Sequence, residues 1–325
     1  DTVVRWLQPV PTDTTRPPAQ AYSVGWNDAG DAALIVAVAR DYKSRFIHRV
    51  DVAGRLSTID VLHDSAWVLS NCNNACGTAA GWLEGNRIWF TSEADGFAHL
   101  YTANSDGSDK RQLTSGRWEV LDVDLSPDRR AFYLTTSESS PFDAQLYRMS
   151  VNGGARVRLT PQPGSHATVL SPDGAWIANV HSRANAPPEL YLMRNAPGAA
   201  MSQLTTSPTA DFRSYPWLAP EIVRIPASDG VMVPARIYRP RDVGAQPNGA
   251  GVIFVHGAGY LHNVHNYWSS YAREYMFHHL LASRGYVVLD IDYRGSAGYG
   301  RDWRTAIYRH MGGRDLQDQV DGARS

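Results

Sequence analysis

The sequence lacks the features of a membrane or nucleic-acid-binding protein. Charge is balanced, with 31 lysines and arginines against 32 acidic residues and a net charge of -1, so nothing favours a nucleic acid partner. No apolar run approaches the roughly 18 residues that a membrane span requires. The first twenty residues also lack the apolar core of a signal peptide. We therefore expect the chain as given to be soluble, without a membrane span.

Cysteine is nearly absent as well. The only two are Cys72 and Cys76, in SNCNNACGT, too few for a structural zinc site unless histidines join them, and none is close by in sequence. The pair is compatible with a small disulfide loop, which would imply an oxidising compartment, or with two free thiols. The sequence leaves these two alternatives open.

A period of about 45 residues runs through the first two thirds of the chain. The pair Leu-Tyr recurs with spacings of 46 and 44, and Leu-Thr follows it each time with spacings of 46 and 45. A Ser-Pro-Asp turn also recurs, 45 residues apart. The markers are Leu100-Tyr101, Leu146-Tyr147, Leu190-Tyr191, Leu113-Thr114, Leu159-Thr160, Leu204-Thr205, Ser126-Pro127-Asp128 and Ser171-Pro172-Asp173. A repeat of this length with four short strands is the size of one β-propeller blade.

Alternating apolar residues and Gly, Asn and Asp turns favour antiparallel strands within each repeat. An earlier copy, in which residues 26–30 replace the Ser-Pro-Asp turn, brings the number to about four blades. We therefore predict an all-β, partial propeller over residues 1–215, with the markers as blade core. Residues 40–42 and the SEADG turn at 92–96 are polar enough to face a central cavity, but we interpret them as solvated loops.

The pattern changes in the last third. The predicted elements are strands at 221–227, 233–240, 252–255 and 287–293, and helices at 268–283 and from about Asp315. The strand VIFV is apolar throughout, which favours a parallel sheet covered on both faces. Two strands followed by strand, helix and strand predict the N-terminal part of an α/β-hydrolase domain over residues 216–325.

The third of these strands runs directly into the turn HGAGY. In an α/β-hydrolase, the loop after this strand supplies part of the oxyanion hole. A tetrahedral intermediate needs preorganised donors about 3 Å from its negative oxygen, and glycines let the backbone approach it closely. The candidate catalytic residues are therefore His256, Gly257, Ala258 and Tyr260, with the backbone of Gly257 and Ala258 shaping the hole.

These segments carry a resemblance to a known family. VHGAGY after the third strand and DYRGSAGYGRDWR after the fourth resemble the prolyl oligopeptidase family of serine peptidases. SEADGFAHLY and SGRWEVLDV are similar to propeller segments of its dipeptidyl peptidase IV branch, and MGGRDLQDQVDGARS to the segment leading to the nucleophile strand. The resemblance implies a peptidase that releases N-terminal dipeptides from short peptides. It also implies a Ser-Asp-His triad, which requires no metal or cofactor.

No member of that triad is present. Ser296 in RGSAG comes nearest to a Gly-x-Ser-x-Gly elbow, but Arg294 stands two residues before it. By resemblance, the triad is expected downstream of Ser325, so we interpret the chain as an internal fragment that is inactive alone. The paired glutamates that grip a substrate's amino terminus are expected upstream of Asp1. Family likeness also suggests a homodimer and a periplasmic or secreted location, with the cytoplasm as the alternative.

Alternatives stay open for several site residues. His256 matches a position held by Tyr or His in the family: as the Tyr form its side chain would donate to the oxyanion, and as the His form it would prop the loop. Tyr260 is a second candidate donor or a packing residue. His262 and His265 could suggest a metal together with His256, but no carboxylate or cysteine joins them in the sequence. We interpret them as part of a polar loop at the rim of the site.

Four further residues are predicted to be structural. Asp290 and Asp292 alternate on the fourth strand and share one face, where capping a turn or binding an arginine is favoured over an acid/base role. His278 and His279 are expected on a solvated helix face or at a domain contact.

The predicted function is that of a serine-type peptidase acting on a peptide substrate. Acylaminoacyl peptidase or prolyl oligopeptidase is the alternative within the family, since a loop beginning with His-Gly also occurs there. From another class, the chain could be a non-catalytic propeller module that binds a protein partner and carries a degenerate hydrolase remnant. An esterase on the same sheet is a third hypothesis.

Overall fold

The computed structural model describes Leu7, residues 20–68 and residues 80–325. Cys72 and Cys76 lie outside the described residues, so both alternatives for them stay predictions. Four antiparallel sheets of four strands follow one another along the chain, and a fifth, mixed sheet comes after them. We call the first four sheets 1 to 4.

Each of sheets 1 to 4 has its strands in chain order, as a meander. Sheet 1 comprises β1 (Gln20–Trp26), β2 (Ala32–Val38), β3 (Ser44–Asp51) and β4 (Leu56–His63). Sheet 2 comprises β5 (Ala80–Leu83), β6 (Arg87–Ser92), β7 (His99–Asn104) and β8 (Arg111–Gln112). Sheet 3 comprises β9 (Val120–Leu125), β10 (Ala131–Thr136), β11 (Gln145–Ser150) and β12 (Val157–Arg158). Sheet 4 comprises β13 (Ser165–Leu170), β14 (Trp176–Arg183), β15 (Ala186–Arg194) and β16 (Ser202–Gln203).

The 45-residue markers make the same hydrogen bond in three successive sheets. The hydroxyl of each Leu-Thr threonine accepts the amide of the leucine in the preceding Leu-Tyr pair. The three bonds are Leu100 N to Thr114 Oγ1 at 2.9 Å, Leu146 N to Thr160 Oγ1 at 3.0 Å and Leu190 N to Thr205 Oγ1 at 2.9 Å. In each of these three sheets the fourth strand has only two residues. The threonine that follows it therefore extends the pairing between the fourth strand and the third.

Apolar side chains pack between successive sheets. One cluster joins sheets 1 and 2 through Leu34 and Phe90, a second joins sheets 2 and 3 through Trp89 and Phe132, and a third joins sheets 3 and 4 through Tyr133 and Ile177. Among the described residues, no core cluster links sheet 4 back to sheet 1. The four sheets therefore form a propeller-like arc, and no closed ring is seen.

The remaining elements build the mixed sheet and its helices. They are α1 (Ala210–Ser214), β17 (Glu221–Pro226), β18 (Met232–Tyr238), β19 (Gly251–Phe254), α2 (Ala272–Ser283), β20 (Val287–Ile291), α3 (Arg301–Thr305) and α4 (Arg314–Arg324), with 3₁₀ turns at Glu84–Asn86 and Pro240–Val243. The strand order is β17-β18-β20-β19, and β19 pairs with β20 in parallel. β19 is thus the edge strand. In the part of the chain that the structure covers, no helix combines the length and apolarity needed to cross a bilayer.

Helix α2 differs from its prediction in two respects. It begins at Ala272 rather than Trp268, because the Ser269 hydroxyl accepts the Tyr271 amide at 2.9 Å and the chain turns there before the helix starts. His278 and His279 are buried instead of solvated. His278 packs edge-on against aromatic rings of β18 and β19, and His279 Nε2 donates to the carbonyl of Pro216 at 3.0 Å. The two histidines therefore help to fix α2 on the sheet.

Candidate functional site

The Gly turn lies where β19 leaves the sheet, and side chains lie close over both of its glycines. A Cβ on Gly257 would lie 2.6 Å from the hydroxyl oxygen of Tyr260, so the Tyr260 side chain folds back over Gly257. Gly259 has a φ of +86° and a Cβ on it would lie 3.4 Å from the Trp67 ring. The turn therefore extends from the end of β19 toward the segment that follows sheet 1.

Asp292, directly after β20, is the centre of the hydrogen bonds beneath this turn. Its side chain is fully buried, and four hydrogen-bond donors surround it. They are His256 Nε2 at 2.9 Å, the amides of Asn263 at 2.9 Å and Val264 at 3.0 Å, and the Tyr299 hydroxyl at 2.7 Å. His262 Nε2 lies 3.3 Å from Asp292 Oδ2 but makes no hydrogen bond there. Burial raises the pKa of Asp292, but the charge of His262 and the bond from His256 outweigh it, and the pKa lies below its usual range. The carboxylate is therefore ionised at neutral pH.

His256 has both ring nitrogens engaged. Nε2 contacts Asp292 Oδ1 and Nδ1 contacts the carbonyl of Gly257, each at 2.9 Å. Because a carboxylate and a carbonyl only accept, both nitrogens donate and the ring is an imidazolium. Burial lowers the pKa of His256, but the Asp292 bond and charge outweigh it, so the pKa is raised overall. This geometry corresponds to the form of His256 that props the loop.

The three histidines of the loop differ from one another. Burial lowers the pKa of His262 despite the opposing charge of Asp292. His265 stacks on Tyr267, with ring centres 3.5 Å apart, and contacts its carbonyl through Nδ1. The interpretation that no carboxylate joins these histidines was wrong, because the fold brings Asp292 to His256 and His262. Among the described residues, no group of three metal-ligating side chains has the geometry to hold an ion.

Asp290, the neighbouring acid on β20, binds an arginine, which was the structural role favoured from the sequence. Arg236 Nη2 and Nε donate to Asp290 Oδ2 at 2.6 and 3.2 Å, and Asn263 Nδ2 donates to the same oxygen at 2.7 Å. Both members of the ion pair are buried. Burial raises the pKa of Asp290 despite the charge of Arg236. Asp290 and Asn263 thus attach the loop to the sheet.

The backbone of the turn is oriented by two tyrosines that the sequence did not single out. The amide of Gly257 points to the Tyr271 hydroxyl at 3.5 Å, and the Tyr293 hydroxyl donates to the carbonyl of His256 at 2.5 Å. The amide of Gly259 donates to the carbonyl of Gly295 at 2.5 Å. Ser296 follows Gly295 in the loop after β20. It is buried, and its hydroxyl lies 3.3 Å from His256 Nε2. It supports the histidine and is not positioned as an exposed nucleophile.

Two cavities meet at this turn. One cavity, of about 600 Å³, lies between the turn and the residues next to sheets 1 and 3. Its lining includes Tyr260 and His262 from the turn side, Trp67 after sheet 1 and Glu119 before β9 of sheet 3. The other, of about 530 Å³, lies beside the open edge of β19. Ala258 lines both. The predicted oxyanion residues therefore sit on the wall between a space that reaches the propeller-like sheets and a space along the edge strand.

The first cavity also borders a buried ionic contact that sequence reasoning missed. Arg304 of α3 donates from Nη2 to both carboxylate oxygens of Glu93, at 2.8 and 2.7 Å, and both side chains are buried. Glu93 belongs to the SEADG turn, so the interpretation of that turn as a solvated loop was wrong for this residue, whereas residues 40–42 are exposed. The contact spans 211 positions in sequence, and no local pattern could have indicated it.

Family models match most of the chain. The model for the dipeptidyl peptidase IV (DPP IV) N-terminal region matches residues 6–188. The model for the prolyl oligopeptidase family matches residues 273–325. The first match covers sheets 1 to 3 and most of sheet 4, and the second covers most of α2 and everything after it.

Curated relatives and a solved structure agree with these matches. Human dipeptidyl peptidase 8 is 28% identical over 65% of this chain and 24% of its own length, and the uncharacterized peptidase YuxL of Bacillus subtilis is 27% identical over 59% and 27%. The chain thus spans about a quarter of the length of these relatives. The crystal structure of Porphyromonas gingivalis dipeptidyl peptidase 4 superposes with a TM-score of 0.75 over 91% of this chain and 41% of that one, at 23% identity. This likeness shows a shared fold.

Proposed function

Because the chain belongs to the prolyl oligopeptidase family, in its dipeptidyl peptidase IV-like branch, we propose that it forms part of a serine peptidase that releases N-terminal dipeptides from short peptides. The observation that carries the proposal is the position of the 256–260 turn. It follows the parallel edge strand β19 and borders both cavities, as an oxyanion loop must if substrate lies on one side and a nucleophile on the other.

In this proposal the parts of the chain have separate roles. Residues 1–215, which include the arc of four sheets, screen access as part of a propeller, and residues 216–325 form the first half of an α/β-hydrolase domain. The nucleophilic serine, expected downstream of Ser325, approaches from the open edge of β19 and the cavity of about 530 Å³ beside it. The serine attacks the scissile carbonyl while a histidine, also expected downstream, takes and returns the proton.

The residues of this chain stabilise the oxyanion in that step. The imidazolium of His256 holds the Gly257 carbonyl and thereby fixes the plane of the next peptide, so that the Ala258 amide is held in one direction. The Gly257 amide lies 3.5 Å from Tyr271, at the long limit of a hydrogen bond, and can turn to the oxyanion at small cost. The Tyr260 hydroxyl, folded over Gly257, is the side-chain donor.

The first experiment concerns the nucleophile. The longest open reading frame that contains this sequence is expected to have a Gly-x-Ser-x-Gly motif after a strand, within about 40 residues of Ser325 by family likeness. The purified protein should react with a fluorophosphonate probe and cleave Ala-Pro and Gly-Pro amides in preference to acyl esters. Absence of the motif and of labelling would favour the non-catalytic propeller module, and preference for esters would favour the esterase.

The second experiment concerns the turn itself. In that protein, Tyr260→Phe removes one hydroxyl from a half-exposed side chain, and kcat should fall about 10²- to 10³-fold if the hydroxyl donates to the oxyanion. Tyr215→Phe is the matched control, because Tyr215 is also partly exposed and packs on Trp217, away from the turn. Equal kcat for the two variants would assign Tyr260 to packing.

A further inference from the structure

Helix α3 is attached to sheet 2 by a buried ion pair. Arg304 and Glu93 are 2% and 4% exposed, and the guanidinium meets both oxygens of the carboxylate. Removing two charges from water is costly, and the short charged hydrogen bonds from Nη2 to both carboxylate oxygens offset that cost, while Arg304 Nη1 has no hydrogen-bond partner among the described residues. The Arg304 guanidinium also lies over the Trp67 ring at 5.6 Å. A contact of this kind holds its partners in one arrangement.

Two more bonds attach the start of the same helix to the sheets. Glu119, just before β9, accepts the Gly300 amide through Oε1 at 3.1 Å. The Arg301 amide donates to the carbonyl of Gly96 at 2.8 Å. Gly300 has a φ of +89°, and a Cβ there would lie 2.9 Å from both the Gly96 carbonyl oxygen and the Phe97 ring. Residues 300–304 are therefore held at several points by sheets 2 and 3.

The other side of this segment leads to the oxyanion turn. The carbonyl of Trp303 accepts the Gly295 amide at 2.9 Å, and the carbonyl of Gly295 accepts the Gly259 amide at 2.5 Å. A second bond runs from the Ala297 amide to the Leu261 carbonyl at 2.8 Å. Two hydrogen bonds in series thus connect Trp303, the neighbour of Arg304, to Gly259 in the turn, and the Ala297 bond joins the same two loops at a second point.

We propose that Arg304, held by Glu93 across the interface, is a positioning residue that orders the 294–300 loop and, through it, the 256–260 turn. The propeller-like sheets then do more than restrict access, because their contact with α3 sets the geometry at the turn. The consequence for catalysis rests on the function proposed above, whereas the ordering of the turn does not.

Amide exchange tests the ordering without any assay of activity. In the full-length protein, hydrogen–deuterium exchange measured by mass spectrometry should show faster exchange in Glu93→Gln for peptides spanning 257–261 and 294–300. Glu138→Gln is the matched control, since both oxygens of Glu138 also accept from an arginine, Nη2 and Nε of Arg156, at 2.6 and 2.7 Å, but away from α3. Exchange as slow in Glu93→Gln as in Glu138→Gln would overturn the proposal.

A second variant covers the case in which Glu93→Gln does not fold. Arg304→Lys keeps the charge but replaces the planar guanidinium, which reaches Glu93 and lies over Trp67, with a compact and more strongly hydrated ammonium. Exchange at both peptides should therefore lie between that of wild type and that of Glu93→Gln, or above wild type if Glu93→Gln does not fold. Wild-type exchange in Arg304→Lys, when Glu93→Gln cannot be measured, would also overturn the proposal.

Kinetics on a dipeptidyl amide substrate separate positioning from general destabilisation. Glu93→Gln should lower kcat about 10- to 100-fold with little change in KM, because a small misplacement of the donors weakens the transition state more than ground-state binding. Glu138→Gln should leave both parameters near wild type. If the wild-type protein neither cleaves the amide nor reacts with fluorophosphonate, the proposed function fails while the exchange result still decides the role of Arg304.

Discussion

Replacement of Asp292 by asparagine is the sharpest test of the network beneath the turn. The carboxylate accepts from His256 and the Asn263 amide on one oxygen, and from the Val264 amide and the Tyr299 hydroxyl on the other. An asparagine of the same shape keeps only one accepting oxygen. Its amino group would face at least one backbone amide that can only donate, that of Asn263 or that of Val264, whichever way the side chain is oriented.

The expected loss follows from the number of bonds that fail. At least one hydrogen bond to a charged acceptor, which contributes about 1.5–3 kcal/mol, fails, and breaking a buried ion pair costs about 3–5 kcal/mol. We expect the free energy of unfolding to fall by about 3–5 kcal/mol. For a unit of 150–250 residues this lowers Tm by roughly 6–20 °C. Thermal unfolding at pH 7, followed by tryptophan fluorescence, measures it.

The control is Asp302→Asn, because the Asp302 side chain is 85% exposed and its bond to Arg301 lies at the surface. It should change the free energy of unfolding by less than about 1 kcal/mol. The pH profile gives a second readout. The raised pKa of His256 contributes stability that is complete below about pH 6.5 and is lost as pH rises through the folded-state pKa. Asp292→Asn should lack this loss. A change below about 1 kcal/mol, or an unaltered pH profile, would refute the reasoning.

Three further predictions test other parts of the structure. Gly257→Ala should cost about 1 kcal/mol, because its Cβ would lie 2.6 Å from the Tyr260 hydroxyl and the exposed Tyr260 side chain has to move aside. A double-mutant cycle should show a smaller cost in a Tyr260→Ala background, and equal costs would contradict the contact. Burial, together with the charge of Glu93, raises the pKa of Glu119 from 4.5 to about 7. Wild-type stability should therefore fall by up to about 3 kcal/mol between pH 4.5 and pH 7 relative to Glu119→Gln, in urea titrations at several pH values, and parallel profiles would contradict this. Ser126→Ala and Ser171→Ala should each cost about 1 kcal/mol in thermal unfolding, because each hydroxyl accepts the amide five residues on at 2.9 Å, and sharply different values would show that the two turns are not equivalent.

The repeated sheets could be predicted from the sequence because their determinants are local. Leu-Tyr and Leu-Thr lie 13 or 14 residues apart in each unit, within reach of a hairpin, and their spacing predicted four strands per sheet. The position of the Gly turn was also predictable, since an apolar strand followed directly by glycines has few other interpretations. In both cases the relevant contacts lie within one supersecondary unit.

The partners within the site could not be predicted, because they come from distant segments. His256 and Asp292 are 36 positions apart, and Arg304 and Glu93 are 211 apart. Spacing along the chain carries no information on such pairs. The sequence placed both Asp290 and Asp292 on the fourth strand, whereas β20 ends at Ile291 and Asp292 lies directly after it. The pattern also could not show that Asp290 binds Arg236 and that Asp292 contacts two histidines. Burial of His278 and His279 depended on the same tertiary packing.

The close fit at Gly300 bears on how this protein could be re-engineered. Its backbone conformation and the atoms of Gly96 and Phe97 leave no volume for a side chain. A chimera that took sheets 1 to 4 from another member of the family would have to bring a compatible 93–97 turn, or the junction with α3 would not close. The two halves of the chain therefore have to be exchanged together. Grafting one without the other is expected to impair the turn at Gly257 even though no residue of that turn has been altered.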